Sequence, residues 1–346
     1  MRCAFGLIFA LSLCAQEAGS GIEVRSNLTV ESAASGARDT GGFRLMLYPA
    51  WKLSSHWTLA GTLQFRSRPF FLEDMATQGY GVRNDVLQLH LTYATYWRGG
   101  SLAVRAGELS SVFGSFLLHY DDAANPLVDM PPSYGYYYRN VTSLGLTGGQ
   151  AELSEGKLDF RAQLTSSSPA NRRSVFDRDQ YANWAGGAGY TIRQGLRVGA
   201  SAYRGPYLYR GFPYYFPGES RPVELPATAW GVDAQWGRGH WNTSGEWQHF
   251  RMPYHAIPTF TRSVVYAETR RTLGPRWYAA ARVSSVRASA LNDFSVYEFA
   301  VGFRPAARQL IKTAWQAQAG PGVNGGSANV IAVQYVIGLP SFSLTH

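Results

Sequence analysis

The sequence predicts an all-β protein, a transmembrane antiparallel up-and-down β-barrel of about sixteen strands, on three observations. Side-chain character alternates with period two along nearly every segment between turns, as it does when successive residues face opposite sides of a sheet. The connections alternate between short and long, so one end of the sheet carries tight turns and the other carries loops. Only 16% of the 346 residues are charged, while 21 Tyr and 10 Trp exceed what a core needs and suit a lipid boundary.

The alternation is clearest in Leu87 to Trp97, where Leu87, Leu89, Leu91, Tyr93 and Trp97 share one face and Gln88, His90, Thr92 and Tyr96 the other. Trp57 to Arg68 behaves likewise, as do the segments around Leu158 to Thr165 and Ile311 to Gln318. The strands expected are 22–31, 42–53, 57–68, 86–97, 101–109, 141–153, 157–166, 181–192, 196–204, 227–236, 240–251, 260–271, 276–287, 294–304, 308–319 and 329–339. Tight turns fall at Arg98-Gly99-Gly100, Glu155-Gly156, Gln194-Gly195, Gly237-Arg238-Gly239 and Gly274-Pro275. Longer connections are expected near 34–41, 69–83, 110–139, 169–180, 207–226, 253–259, 289–293 and 320–328. An even count leaves both termini on the short-turn side, which is periplasmic for a barrel in a bacterial outer membrane, with the long loops extracellular.

Residues 1–19 read as an export signal: Arg2, an apolar run from Ala4 to Cys14, then small and polar residues. Residues 20–346 are then the barrel. Both cysteines, Cys3 and Cys14, lie in the first segment, so the remainder has no disulfide framework, Cys-based metal site or thiolate nucleophile. The net charge of +9 survives removal of the segment because Arg2 and Glu17 leave together. The arginines are spread singly along the chain, which argues against nucleic acid as a partner.

In a bilayer every backbone donor and acceptor must be paired internally, so an all-strand membrane protein closes on itself. The predicted outward face then carries Trp51, Trp57, Trp97, Trp230, Trp236, Trp241, Trp247 and Trp277 as aromatic girdles. The predicted lumen carries Arg25, Arg44, Arg66, Arg68, Arg105, Arg161, Arg197, Arg262, Arg270, Arg282 and Lys312, against fewer acids, among them Glu31, Asp159, Asp233, Glu246, Glu268 and Glu298. So many charges argue for a water-filled interior, because each isolated in a dry core costs several kcal/mol, of order 2–7 even for a neutral polar group. A soluble sandwich or propeller would share the alternation but not the tryptophan positions, turn asymmetry and leader together.

The longest stretch without alternation is 110–139, SSVFGSFLLHYDDAANPLVDMPPSYGYYYR. Its carboxylates Asp121, Asp122 and Asp129, preceded by Glu108, are expected to face the lumen arginines across a narrow aqueous gap, setting a transverse field with weak anion preference. Two aromatic runs, 134–138 and 206–217, are expected to pack as rim and loop aromatics.

The chain resembles the bacterial outer-membrane porins. The local likeness is strongest at Val104 to Phe116, VRAGELSSVFGSF, similar to the strand-then-FG passage that leads into the constriction loop of many porins. The resemblance implies an outer-membrane channel among lipid, passing small hydrophilic solutes or anions by diffusion, and a homotrimer. One departure is at the carboxyl end, where such barrels commonly stop on an aromatic residue but this chain runs past Phe342 to His346.

No GxSxG, HExxH or P-loop occurs, and His90, His119, His240, His249 and His255 form no catalytic constellation legible in sequence. No catalytic residue, cofactor or metal is expected. The readings from other classes are a barrel enzyme acting on lipid and a barrel serving as an adhesin or surface-binding protein.

Overall fold

The computed structural model describes residues 21–36, 38–68, 81–116, 121–134, 146–166, 183–206, 225–255, 257–289, 291–320 and 329–344. The expected export signal (1–19), His119, Arg139 and most of the aromatic runs at 134–138 and 206–217 lie outside these residues.

Sixteen antiparallel strands form one closed barrel, each beside its sequence neighbours. They are β1 (Ile22–Ser35), β2 (Arg38–Lys52), β3 (Trp57–Arg68), β4 (Gly81–Trp97), β5 (Gly100–Leu109), β6 (Leu146–Glu155), β7 (Leu158–Thr165) and β8 (Asn183–Arg193). There follow β9 (Leu196–Pro206), β10 (Pro226–Arg238), β11 (Trp241–Met252), β12 (Phe260–Thr272), β13 (Trp277–Ala288), β14 (Leu291–Phe303), β15 (Gln309–Ala319) and β16 (Asn329–Leu344). The seam is β1 against β16, running from Ile22 opposite Leu344 to Ala34 opposite Ile331, so no edge is left to solvent or lipid.

Two expected long connections are tight. Between β1 and β2 only residues 36–37 intervene, and between β13 and β14 only 289–290, because the strands continue several residues beyond the last clear alternation. β16 likewise extends to Leu344, with Phe342 opposite Val24 and half exposed.

The outer surface is apolar. Phe43, Phe65, Leu89, Leu91, Phe160, Val232, Val283, Phe299 and Ile331 are all exposed, on neighbouring strands around the barrel. That is far more contiguous apolar surface than a water-soluble protein tolerates, and it matches a hydrocarbon-facing band. Trp51, Trp57, Trp97, Trp241 and Trp277 are exposed beside short turns, forming a girdle at that end. Where the band ends polar groups appear: the Trp97 indole donates to Glu155 at 2.7 Å and the Arg271 guanidinium lies 5.1 Å from the Trp241 ring centre.

Candidate functional site in the barrel lumen

The segment after β5 turns into the barrel. Gly114 has φ +79°, and a Cβ there would meet the Tyr134 hydroxyl at 1.9 Å and Glu246 Oε1 at 2.6 Å, so only glycine lets the chain pass this close. Val112 and Phe113 are fully buried beside Ala185, Tyr203, Phe250, Met252, Val264, Phe294 and Val296 on the inner face of β8–β14. Phe113 meets Tyr203 and Phe250 edge-on, at ring separations of 6.3 and 5.8 Å. Burying such a ring contributes about 2–3 kcal/mol, enough to anchor this leg of the loop.

This corrects the expectation of a polar inner face. The long-loop half of β8–β14 is apolar inside, because there the wall packs against the loop rather than water. A second apolar cluster, Leu127 and Val128 against Tyr278, Ala280, Ala300, Leu310, Ala314, Ala332 and Val336, seats the middle of the loop on the adjoining arc β13–β16.

Polar contacts fix the register. Asp121 accepts from Tyr48 Oη at 2.8 Å, from Asn27 Nδ2 at 3.2 Å, and from the Ala123 amide at 2.7 Å. Asp122 accepts from Thr29 Oγ1 at 2.7 Å and from Arg44 in a two-pronged pair, Nε at 2.9 Å and Nη2. The Lys312 ammonium, fully buried, spends its three protons on the carbonyls of Asp122, Asn125 and Leu127 at 2.8, 3.2 and 3.0 Å. Arg282 donates to the Asp129 carbonyl at 2.7 Å, Arg262 to the Pro132 carbonyl at 2.8 Å and Arg161 to the Gly114 carbonyl at 2.8 Å. Tyr134 closes the loop, donating to Glu246 Oε2 at 2.6 Å and accepting from Gln248 at 2.8 Å.

Burial alone would raise the Asp122 carboxyl, but Arg44 and Lys312 beside it outweigh that and hold it below its ordinary value of 3.8. Burial and the neighbouring Glu246 carboxylate push the Tyr134 phenol well above 10.

The expected lumen cations therefore divide. Arg44, Arg161, Arg262, Arg282 and Lys312 are buried loop ligands, not water-facing charges. Arg66 is also buried, opposite Arg44 on one side and Arg83 on the other. Arg105 pairs with Glu152 at 2.6 Å, both about a quarter exposed. Arg197 pairs with Asp159 at 2.9 Å and Asp233 at 2.8 Å, and Arg270 lies 5.7 Å from the Tyr278 ring centre. Arg25 is exposed on the face it shares with Tyr48; Arg68 ends β3 opposite Gly81, and its side chain is outside the described part. Glu108 is a residue of β5 opposite Leu89 and Thr147, on the outward-facing side with Val104 and Ala106, so it takes no part in the loop.

The carboxylates do not face the arginines across water. Asp122 and Asp129 lie in direct contact with the wall, because a charge withdrawn from water keeps its stability only when its partners close on it. The anchors Val112, Phe113, Leu127 and Val128 were not singled out from sequence. Two apolar doublets, on either side of Phe116-Leu117-Leu118 and the aspartates, were the available signal.

The histidines disperse. His90 Nδ1 lies 3.0 Å from Thr92 Oγ1 in the lumen, and His249 Nδ1 lies 2.9 Å from Ser263 Oγ outside, beside Trp230 and Trp247. Among the described residues no carboxylate or amide orients the His249 ring.

No protein-family profile and no curated protein sequence matches the chain. Solved structures do. An OmpT described as an outer membrane protein of Vibrio cholerae, in trimer form, superposes with TM-score 0.60 at 12% identity, covering 92% of this chain and 100% of that one. Salmonella typhi OmpF, in complex with daunomycin, gives TM-score 0.62 at 11% identity, over 94% and 99%. An anion-selective porin from Comamonas acidovorans gives 0.59 at 11% identity, over 94% and 98%. The fold is that of the bacterial outer-membrane porins. At these identities the likeness is one of fold.

Proposed function

We propose that the protein is a non-catalytic outer-membrane channel for passive diffusion of small hydrophilic solutes, narrowed by its inner loop. The observation that carries this reading is the inward-docked loop inside a barrel whose outer band is apolar. Such a barrel excludes water outside, and the part of its lumen lined by Arg105, Glu152, Arg197 and Asp159 stays wet. Residues 1–19 act as the export signal and the barrel sits in the outer membrane, with lipid around it. A homotrimer is the expected assembly, in keeping with the trimeric OmpT.

Selectivity is weakly anionic on this reading. Of the buried arginines, Arg44 is paired with the loop Asp122 and Arg282 with Glu268 and Glu298 of the wall, so the preference rests on Arg25, Arg270 and the overall charge of +9. Purified protein in a planar bilayer should give stepwise currents, and a salt gradient should give a reversal potential of the anion-preferring sign. Absence of steps contradicts the channel, and a cation-preferring potential contradicts the charge assignment.

A second reading, lipid chemistry at the outer face, has one observation in its favour, the His249–Ser263 pair beside two tryptophans. A lipid-release assay comparing wild type with His249→Ala tests it; equal release from both removes it.

A further inference from the structure

At the short-turn end, β12–β14 and the turn at Gly274-Pro275 line an open pocket of about 80 Å³, with Arg270, Arg276 and Arg304 in its wall beside Trp277 and Tyr278 as its floor. No acidic residue lines it. Arg282 pairs with Arg270's strand neighbour two positions on, Glu268, at 3.1 Å. Arg276 and Arg304 have no acidic partner among the described residues, and their backbones are tied to each other by the Arg304 amide donating to the Arg276 carbonyl at 2.8 Å.

The pocket belongs to the lumen, not the lipid face. Tyr278 shares its side of the sheet with Thr272 and Gly302, while the neighbouring Trp277 and Phe303 stack outside at 4.4 Å. A Cβ at position 302 would meet the Tyr278 ring at 2.0 Å, so Gly302 lets the ring lie flat across β14 as a floor. The Tyr278 hydroxyl then donates to the loop carbonyl of Pro126 at 3.1 Å, between the two carbonyls Asn125 and Leu127 that Lys312 holds.

We propose that this pocket is a docking site for solutes carrying a phosphate or another multivalent oxyanion. Three guanidinium groups around one concavity without an acid repel one another and focus a positive field into it. Their planar donor forks match tetrahedral oxyanions in two-pronged geometry, as ammonium groups do not. The pocket is open to the lumen, so it can take up a phosphate or pyrophosphate group while the rest of a solute stays in the lumen water. The proposal rests on the channel reading, because only a permeable lumen brings such a solute there. It adds a binding step on the short-turn side of the loop.

The test uses inorganic pyrophosphate and the full-length purified barrel. Added to the short-turn side of a bilayer, pyrophosphate should block the single-channel current, and Arg276→Gln with Arg304→Gln should weaken the block at least about tenfold. Arg238→Gln with Arg271→Gln, which removes equal charge on the outward-facing side around Trp241, should leave it unchanged. Equal block in all variants overturns the site while the channel stands. If the protein gives no current, the channel reading fails, and calorimetry with pyrophosphate in detergent still decides the site: binding lost in the double variant supports it, and no binding overturns it. Pyrophosphate that only displaces co-purified phospholipid, read as organic phosphorus released per barrel, would assign the arginines to a lipid headgroup and overturn the solute assignment.

Discussion

The lumen has two walls that use the same chemistry to opposite ends. On the covered wall, Arg44, Arg282 and Lys312 are buried and grip the loop. On the open wall, Arg105 with Glu152 and Arg197 with Asp159 form pairs of the same type, partly in water. The difference lies in what covers them. Where apolar doublets of the loop meet Phe250, Leu310 and their neighbours, water leaves and each ionic contact becomes a latch that is costly to break. Where no loop lies over the wall, the pair is screened and, on the proposed channel reading, acts on a passing ion instead.

The largest break in this contrast should come from Lys312→Met, which leaves three loop carbonyls without their buried donor and Asp122 with Arg44 alone. Loop docking should weaken by about 3–5 kcal/mol, seen as new protease cleavage within 121–134 of the folded barrel and as a larger conductance. Phe113→Ala should follow, at about 3 kcal/mol, loosening the first leg; heat-induced unfolding of the barrel, if little changed, would show that the loop and not the sheet was affected.

Acid should release the same latch. Because the Asp122 carboxyl is held below 3.8, its contribution to docking is fully present above that value and is lost as pH falls through its lowered folded value. Conductance should therefore rise below pH 3.8 in the wild type. In Asp122→Asn it should start higher and lack this step. The smallest structural effect belongs to the open wall: Arg105→Gln should cost no more than about 1 kcal/mol yet shift the reversal potential toward cations. A large loss of stability there would erase the distinction between the walls.

The sheet was legible because each strand declares itself locally. The boundaries of β3, for example, coincide with the alternation of Trp57 to Arg68. Turn residues ended strands cleanly at Gly99, Gly156 and Gly195. The connection at 289–290 was read as longer because Asn292 and Asp293 look like loop residues, although β14 has already begun at Leu291. The direction of a side chain was legible too, so Lys312 and Arg44 were placed inside. What covers them was not. Lys312 is 185 to 190 residues from the carbonyls it holds, and Arg44 is 78 from Asp122. No local pattern encodes that a distant loop will displace the water. The same limit hid the apolar inner half of β8–β14, since Tyr203 and Phe250 are intelligible inside a barrel only once Phe113 is known to lie against them.

The central claim, a loop seated on one wall of a lumen that stays open along the other, is tested most directly by thiol accessibility. The native cysteines are Cys3 and Cys14, so with both changed to serine single cysteines placed in the barrel are read without background. Leu127→Cys, on the buried loop, and Thr92→Cys, on the lumen face opposite Arg105, should be exposed to a charged, water-soluble thiol reagent during current recording. Thr92→Cys should react and reduce the current while Leu127→Cys stays silent until the barrel is unfolded. Equal reaction at both positions would contradict the seated loop.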